Sequence, residues 1–227
     1  MPVTQFPSMD SGGYSRVSDR ALSRPLSPAG LSVRGLRNPH AGPFDVDVPP
    51  GECLVVTGMS GTGKSVLLRM IADLDPHQGV VALDGVACAD MPAHQWRRQV
   101  LYLPAEPGWW SDIVLDHLPD DAATHALLAQ VGLREGVLRT PVHRLSTGER
   151  QRLALVRALL PDPRVLLLDE PCSALDTATT LKVEALLRHL KARGVAIVLV
   201  SHDQAQADRM ADRRRHMMSG HFTEDAA

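Results

Sequence analysis

The sequence predicts an α/β fold: a central, mainly parallel sheet, with an antiparallel β subdomain to one side and a small helical insertion. Three observations carry that expectation. Apolar runs at Glu52–Thr57, Arg164–Asp169 and Val195–Val200 are separated by helical stretches, the alternation that buries parallel strands on both faces. Shorter stretches at 31–36, 44–48 and 79–85 suit half-exposed strands that pair antiparallel. Each apolar run also ends in polar residues, at the edge where open α/β sheets place ligands.

With 227 residues, 44% of them hydrophobic, the chain can bury one sizeable core, so one principal domain is expected. Residues 1–28, rich in Ser, Pro, Gly and Arg, read as a flexible leader that cannot repay its ordering entropy. The domain is expected over 29–220, with a helical subdomain over about 112–160 and a tail at 221–227. Balance of 24 basic against 26 acidic residues gives −2, which lacks the basic excess of a nucleic-acid binder. No apolar run approaches the roughly 18 to 20 residues that span a bilayer, and Met1–Gly30 has no signal-peptide core, so a cytosolic protein is expected. Cys53, Cys88 and Cys172 lack paired metal-ligand spacing and read as reduced core or loop residues.

The first two strands, at 31–36 and 44–48, are joined by a turn at Asn38-Pro39-His40. The apolar run Glu52–Thr57 then leads into GMSGTGKS at Gly58–Ser65, which fits the phosphate-loop pattern Gly, four residues, Gly-Lys-Ser/Thr. A helix follows from Val66. Gly58, Gly61 and Gly63 let the backbone turn back on itself, so that the N–H groups of Met59, Ser60, Thr62 and their neighbours converge at the positive end of that helix. Such a point attracts phosphate. Lys64 can reach the β- and γ-phosphates, and the Ser65 hydroxyl can ligate Mg²⁺, as Asp169 at the end of a later strand also can.

After the strand at 79–85 and its Asp-Gly turn, Trp96–Gln99 lead into a central strand at Val100–Leu103. Trp109 and Trp110 sit in the loop beyond it, as packing onto the domain or as anchors for a partner. From Asp112 to Thr140 the pattern is helical, with Leu127, Leu128, Val131 and Leu133 apolar. Ser146 and Glu149 have capping-box spacing ahead of a helix that runs to Leu160, and a glycine-containing helix start is also a phosphate site. Glu170 next to Asp169 is placed to polarise an attacking water as general base. A helix over Ala178–Arg193 precedes the last apolar run, which delivers Ser201 and His202 to the same edge, where His202 suits contact with a γ-phosphate. Arg213-Arg214-Arg215 reads as a solvated helix end rather than a nucleic-acid patch.

These segments, in order GMSGTGKS, LSTGE at Leu145–Glu149, VLLLDE at Val165–Glu170, SALD at Ser173–Asp176 and Ser201-His202, carry a resemblance. From about Leu31 to Gly220 the chain resembles the nucleotide-binding subunit of an ATP-binding cassette (ABC) transporter. The resemblance implies a P-loop NTPase sandwich that binds ATP and Mg²⁺ through Gly58–Val66, with Glu170, His202 and Lys64 in catalysis and Ser65 and Asp169 on the metal. It also implies that two cassettes pack head to tail, so that Ser146, Gly148 and Glu149 of one copy meet the nucleotide on the phosphate loop of the other. Partners implied are membrane-spanning permease subunits and a second cassette, identical or different, with the chain held at the inner face of the membrane and no nucleic acid involved. Two departures stand out. Only His40 is available where the family commonly stacks an aromatic ring on adenine, and Ala105 stands where it usually has glutamine, with Glu106 the nearest replacement. A soluble non-transport cassette ATPase, on ribosomes or DNA, and a weakly hydrolysing ATP-binding module remain the alternatives.

Overall fold

A computed structural model describes residues 29–223; the expected leader at 1–28 and the last four residues of the tail lie outside them. The chain opens with a hairpin of β1 (Leu31–Asn38) and β2 (Ala41–Val48), followed by β3 (Cys53–Thr57) and α1 (Lys64–Ile71). Next come β4 (Gln78–Leu83), β5 (Val86–Ala87), α2 (Ala93–Gln99) and β6 (Val100–Leu103). The elements α3 (Ala122–Gln130), α4 (Thr147–Leu159), β7 (Val165–Asp169), α5 (Thr177–Ala192) and β8 (Ala196–Val200) lead to α6 (Gln204–Met210) and a final hairpin, β9 (Arg213–Met218) and β10 (His221–Phe222).

Two sheets form. One is antiparallel, in the order β2-β1-β4-β5, and the other runs β10-β9-β3-β8-β7-β6 with every pair parallel except β9 and β10. The expected antiparallel trio is therefore β2, β1 and β4.

Side-chain alternation of period two divides the larger sheet between two cores. Cys53, Val55, Ile197, Leu199, Leu166 and Leu168 face α4, α5, α6 and the helical insertion. Leu54, Val56, Val198, Val200, Val165 and Leu167 face α1 and the antiparallel sheet. Both faces of β7 and β8 are covered, which is why these strands read as unbroken apolar runs in the sequence. Trp96 of α2 is fully buried in the second core, and its Nε1 donates to Ile71 O at 3.0 Å, tying α2 to the end of α1.

Two expectations need correction. The stretch from Asp112 to Thr140 holds one α-helix, α3, and otherwise short 3₁₀ turns at Val114–Asp116 and Glu135–Arg139. Pro119, Gly132, Gly136 and Pro141 interrupt any longer ladder. The triple arginine is not a helix end but the start of β9, which pairs with β3 through Leu54↔Arg213 and Val56↔Arg215. Its charges hide the strand from a hydrophobicity pattern because β9 is bordered by solvent and by carboxylates: Arg213 pairs with Glu52 at 2.6 Å and Arg214 with Asp208 at 2.6 Å. Gly220, where the domain was expected to end, lies in the β9–β10 turn, and Phe222 beyond it packs on Phe44 with ring centroids 4.9 Å apart.

Candidate functional site

The phosphate loop leaves the C-terminal end of β3 and turns into α1 through Gly63, whose φ of +100° only glycine adopts readily. Gly58 is demanded more strictly. A Cβ there would lie 2.3 Å from Met217 O of β9, with φ at +141°. The final hairpin also braces the far side of the loop, since Gly220 N donates to Thr62 O at 3.0 Å and Gly42 N of β2 donates to Gly220 O at 2.7 Å. Met59, Ser60 and Gly61 form the exposed tip, Thr62 Oγ1 donates to Met59 O at 2.9 Å, and Ser65 and Val66 lie half-buried in the first turn of α1. Lys64 is almost fully buried and its Nζ donates to Gly58 O and Met59 O, both at 2.7 Å. Burial pulls its pKa below the ordinary lysine value, while the carboxylates of Glu170 and Asp169 act in the opposite direction.

Those carboxylates arrive on the neighbouring strand end. The parallel register pairs Asp169 with Val200 and Val56 with Val200, and Glu170 N continues the ladder by donating to Val200 O at 3.0 Å. Asp169 is buried and accepts from Tyr102 Oη of β6 at 3.1 Å; burial and that carboxylate together push the Tyr102 phenol far above its usual range. Glu170 has φ of +50°, a left-handed setting that costs a non-glycine residue about 1 kcal/mol or more and points to a functional constraint. From it, Glu170 Oε1 meets His202 Nε2 at 2.5 Å. Lys64, Asp169, Glu170 and His202 thus share one sheet edge.

The predicted capping box at α4 is present: Glu149 N donates to Ser146 Oγ at 3.2 Å and Ser146 N donates to Glu149 Oε2 at 2.9 Å. The Ser146 amide holds the Glu149 carboxyl below the usual carboxylate range. Ser146 is exposed, whereas Gly148 is buried, and a Cβ on it would sit 2.9 Å from Ala174 O. Among the described residues, no hydrogen bond joins Leu145–Glu149 to Gly58–Val66. The structure brings the first group of predicted residues together and leaves this second group against the segment Ser173–Leu175.

Two polar residues at the site were not singled out from the sequence. Tyr102 orients Asp169, and Gln151 hydrogen-bonds Ala105 O and Ser173 Oγ. Gln151 carried a signal, since it is a polar residue on the apolar face of an amphipathic helix. The tryptophans divide: Trp109 packs against the first core, while Trp110 is 72% exposed, and Arg157 lies over both rings at 4.9 and 5.1 Å from their centroids. Glu106 is exposed, and His40 is exposed in the β1–β2 turn. Cys53 and Cys88 are buried and Cys172 half-buried, all as free thiols.

Among the described residues no three His, Cys, Asp or Glu side chains gather into a metal cluster. The oxygen donors present, Ser65 of α1 and Asp169 of β7, belong to elements that pack on one another. A hydroxyl and one carboxylate fit Mg²⁺, which keeps several waters and takes the rest of its ligands from substrate phosphates.

A family model described as ABC transporter matches residues 42–173. Protein STAR1 of Oryza sativa is 39% identical over 192 residues, covering 79% of this chain and 56% of that protein. The aliphatic sulfonates import ATP-binding protein SsuB of Cupriavidus necator is 42% identical over 176 residues, covering 74% and 57%. The Fe(3+) ions import ATP-binding protein FbpC of Mesorhizobium japonicum is 35% identical over 216 residues, covering 86% and 59%. The chain therefore spans somewhat more than half the length of these three relatives. Among solved structures, an ATP-binding subunit of an ABC transporter superposes with a TM-score of 0.78 at 26% identity, over 86% of this chain and 89% of that one. A cassette solved as a dimer with ADP and phosphate shares the fold, with a TM-score of 0.75 at 22% identity over 86% and 97%.

Proposed function

Because this chain belongs to the ABC transporter family, we propose that it hydrolyses MgATP and drives transport through separate membrane-spanning subunits. The observation that carries this reading is the single sheet edge at which a glycine loop, a buried lysine and an acid pair with a histidine converge.

The loop amides and Lys64 bind the triphosphate; Lys64 must exchange its bonds to Gly58 O and Met59 O for phosphate oxygens, which its three rotatable donors allow. Ser65 and Asp169 would hold Mg²⁺, which neutralises charge on the β- and γ-oxygens when bound. Tyr102 fixes the Asp169 carboxylate for that purpose. Glu170 takes a proton from the water whose oxygen attacks the γ-phosphorus, as the bond from that phosphorus to the ADP oxygen breaks. His202, in contact with Glu170, keeps that carboxylate aimed and is the side chain offered to the γ-phosphate.

Ser146 and Gly148 then serve a nucleotide carried by a second cassette, identical or different, and His40 is the side chain offered to adenine. Names of the bacterial relatives, both import ATP-binding proteins, favour an importer. Among the described residues no helix is long and apolar enough to cross a membrane; the place proposed for the chain is beside permease subunits at the inner face.

Steady-state turnover and equilibrium ATP binding test the reading. Glu170→Gln should keep binding and lower turnover by about 10² or more, about 3 kcal/mol in the barrier. Lys64→Ala should weaken binding itself. Equal turnover of Glu170→Gln and the parent chain would remove Glu170 from the mechanism.

A further inference from the structure

Gln151 faces inward from α4, only 4% exposed, and all its amide groups are engaged. Nε2 donates to Ala105 O at 3.2 Å and to Ser173 Oγ at 2.9 Å, and Oε1 accepts from Ala174 N at 3.3 Å. One side chain thereby joins three segments distant in sequence.

Both of its anchor points flank Glu170. Leu103, the last residue of β6, pairs with Leu168, two residues before Glu170, and Ala105 follows two residues beyond the end of that strand. On the other side, Ser173 N donates to Glu170 O at 3.2 Å, closing the turn in which Glu170 holds its positive φ. A strained backbone of this kind persists only where its surroundings over-determine it. A second contact comes from the same helix, where Gly148 lets Ala174 O approach so closely that a Cβ would be 2.9 Å away. The methyl of Ala105 forms no hydrogen bond, and the group by which Gln151 holds this strand exit is the Ala105 carbonyl.

We propose that Gln151 is the positioning residue for Glu170. It clamps the turn after Glu170 to the exit of β6 and ties both to the helix that carries Ser146, so a displacement of that helix reaches the carboxylate through one buried amide. This rests on the ATPase reading above.

Gln151→Leu keeps the volume and removes every hydrogen bond; Gln151→Glu keeps an acceptor for Ala174 N–H and for the Ser173 hydroxyl but cannot donate to Ala105 O. Three quantities are measured on the full chain: kcat and KM for ATP, affinity for a fluorescent ATP analogue with Mg²⁺, and hydrogen exchange at the Ala174 amide. For Gln151→Leu, kcat should fall about tenfold or more, KM and analogue affinity should stay within about twofold, and Ala174 exchange should rise about tenfold. Gln151→Glu should recover part of the turnover and of the protection. Turnover of Gln151→Leu within about twofold of the parent overturns the proposal, as does unchanged exchange at Ala174. A fall in kcat accompanied by an equal loss of affinity and a general rise in exchange also overturns it, because that marks a packing residue. A parent chain without turnover instead overturns the ATPase reading, and the clamp then stands or falls on the exchange at Ala174.

Discussion

Two helix starts in this chain carry glycine and a hydroxyl side chain, and they are finished in opposite ways. At α1 the loop Gly58–Gly63 leads in without a side-chain cap or an acid in the first turn, and Lys64 adds a positive charge. At α4 the start is closed by its own side chains, Ser146 Oγ on Glu149 N and Glu149 Oε2 on Ser146 N, so a carboxylate sits on the positive pole. The first has the chemistry of an anion site, and the proposed function seats the triphosphate there. The second has its pole partly neutralised and lies against Ala174; under the proposed function it meets a phosphate only when a second cassette carries one to it. The proposed head-to-tail pair of cassettes would use that difference.

The largest effects should come from adding the same methyl to each start. Gly58→Ala places a Cβ 2.3 Å from Met217 O at positive φ, so the loop must move; ATP affinity should fall more than about tenfold and stability by about 2 kcal/mol or more. Gly148→Ala meets Ala174 O and Leu175 Cδ2 at 2.9 and 3.0 Å without a backbone penalty. It should leave ATP binding to the single chain within about twofold and lower turnover about tenfold. Binding isotherms and turnover read both. If Gly148→Ala weakens binding as much as Gly58→Ala, the two starts serve one site in one chain and the contrast fails.

A smaller change in structure sharpens the same contrast. In a Glu170→Gln chain, ATP should move the protein from monomer toward dimer in sedimentation, and Ser146→Arg should prevent this while single-chain ATP binding persists. A dimer that forms equally well with Ser146→Arg places the interface elsewhere.

The smallest effect concerns Glu149. Glu149→Gln retains the capping-box geometry but removes the charge at the helix pole, and should cost about 0.3–1 kcal/mol of stability at neutral pH. Because its folded-state pKa is depressed, the carboxylate contributes fully above its unfolded value of about 4.3 and loses that contribution as pH falls through the folded value. Melting curves from pH 7 to 3 should therefore converge for the parent and Glu149→Gln at the acid end. Parallel curves across that range would show that the charge plays no part in the cap.

Residue order alone determined much of this protein. The runs Leu54–Val56, Leu166–Leu168 and Ile197–Val200 could be read as parallel strands because both faces are buried, which leaves no polar residue to interrupt them. Gly58–Ser65 and Ser146–Glu149 were legible because their chemistry lies within eight or fewer consecutive residues, where spacing fixes geometry. What only the tertiary structure decided lies between segments. Strand β9 was hidden by arginines that are satisfied by Glu52 and Asp208, partners 161 and 6 residues away. The need for Gly58 is set by a carbonyl of that same strand, and the settings of Asp169 and Glu170 by Tyr102, His202 and Gln151. Such contacts leave no periodic trace, since a hydrogen bond between distant segments constrains single atoms at its two ends and nothing in the residues between them.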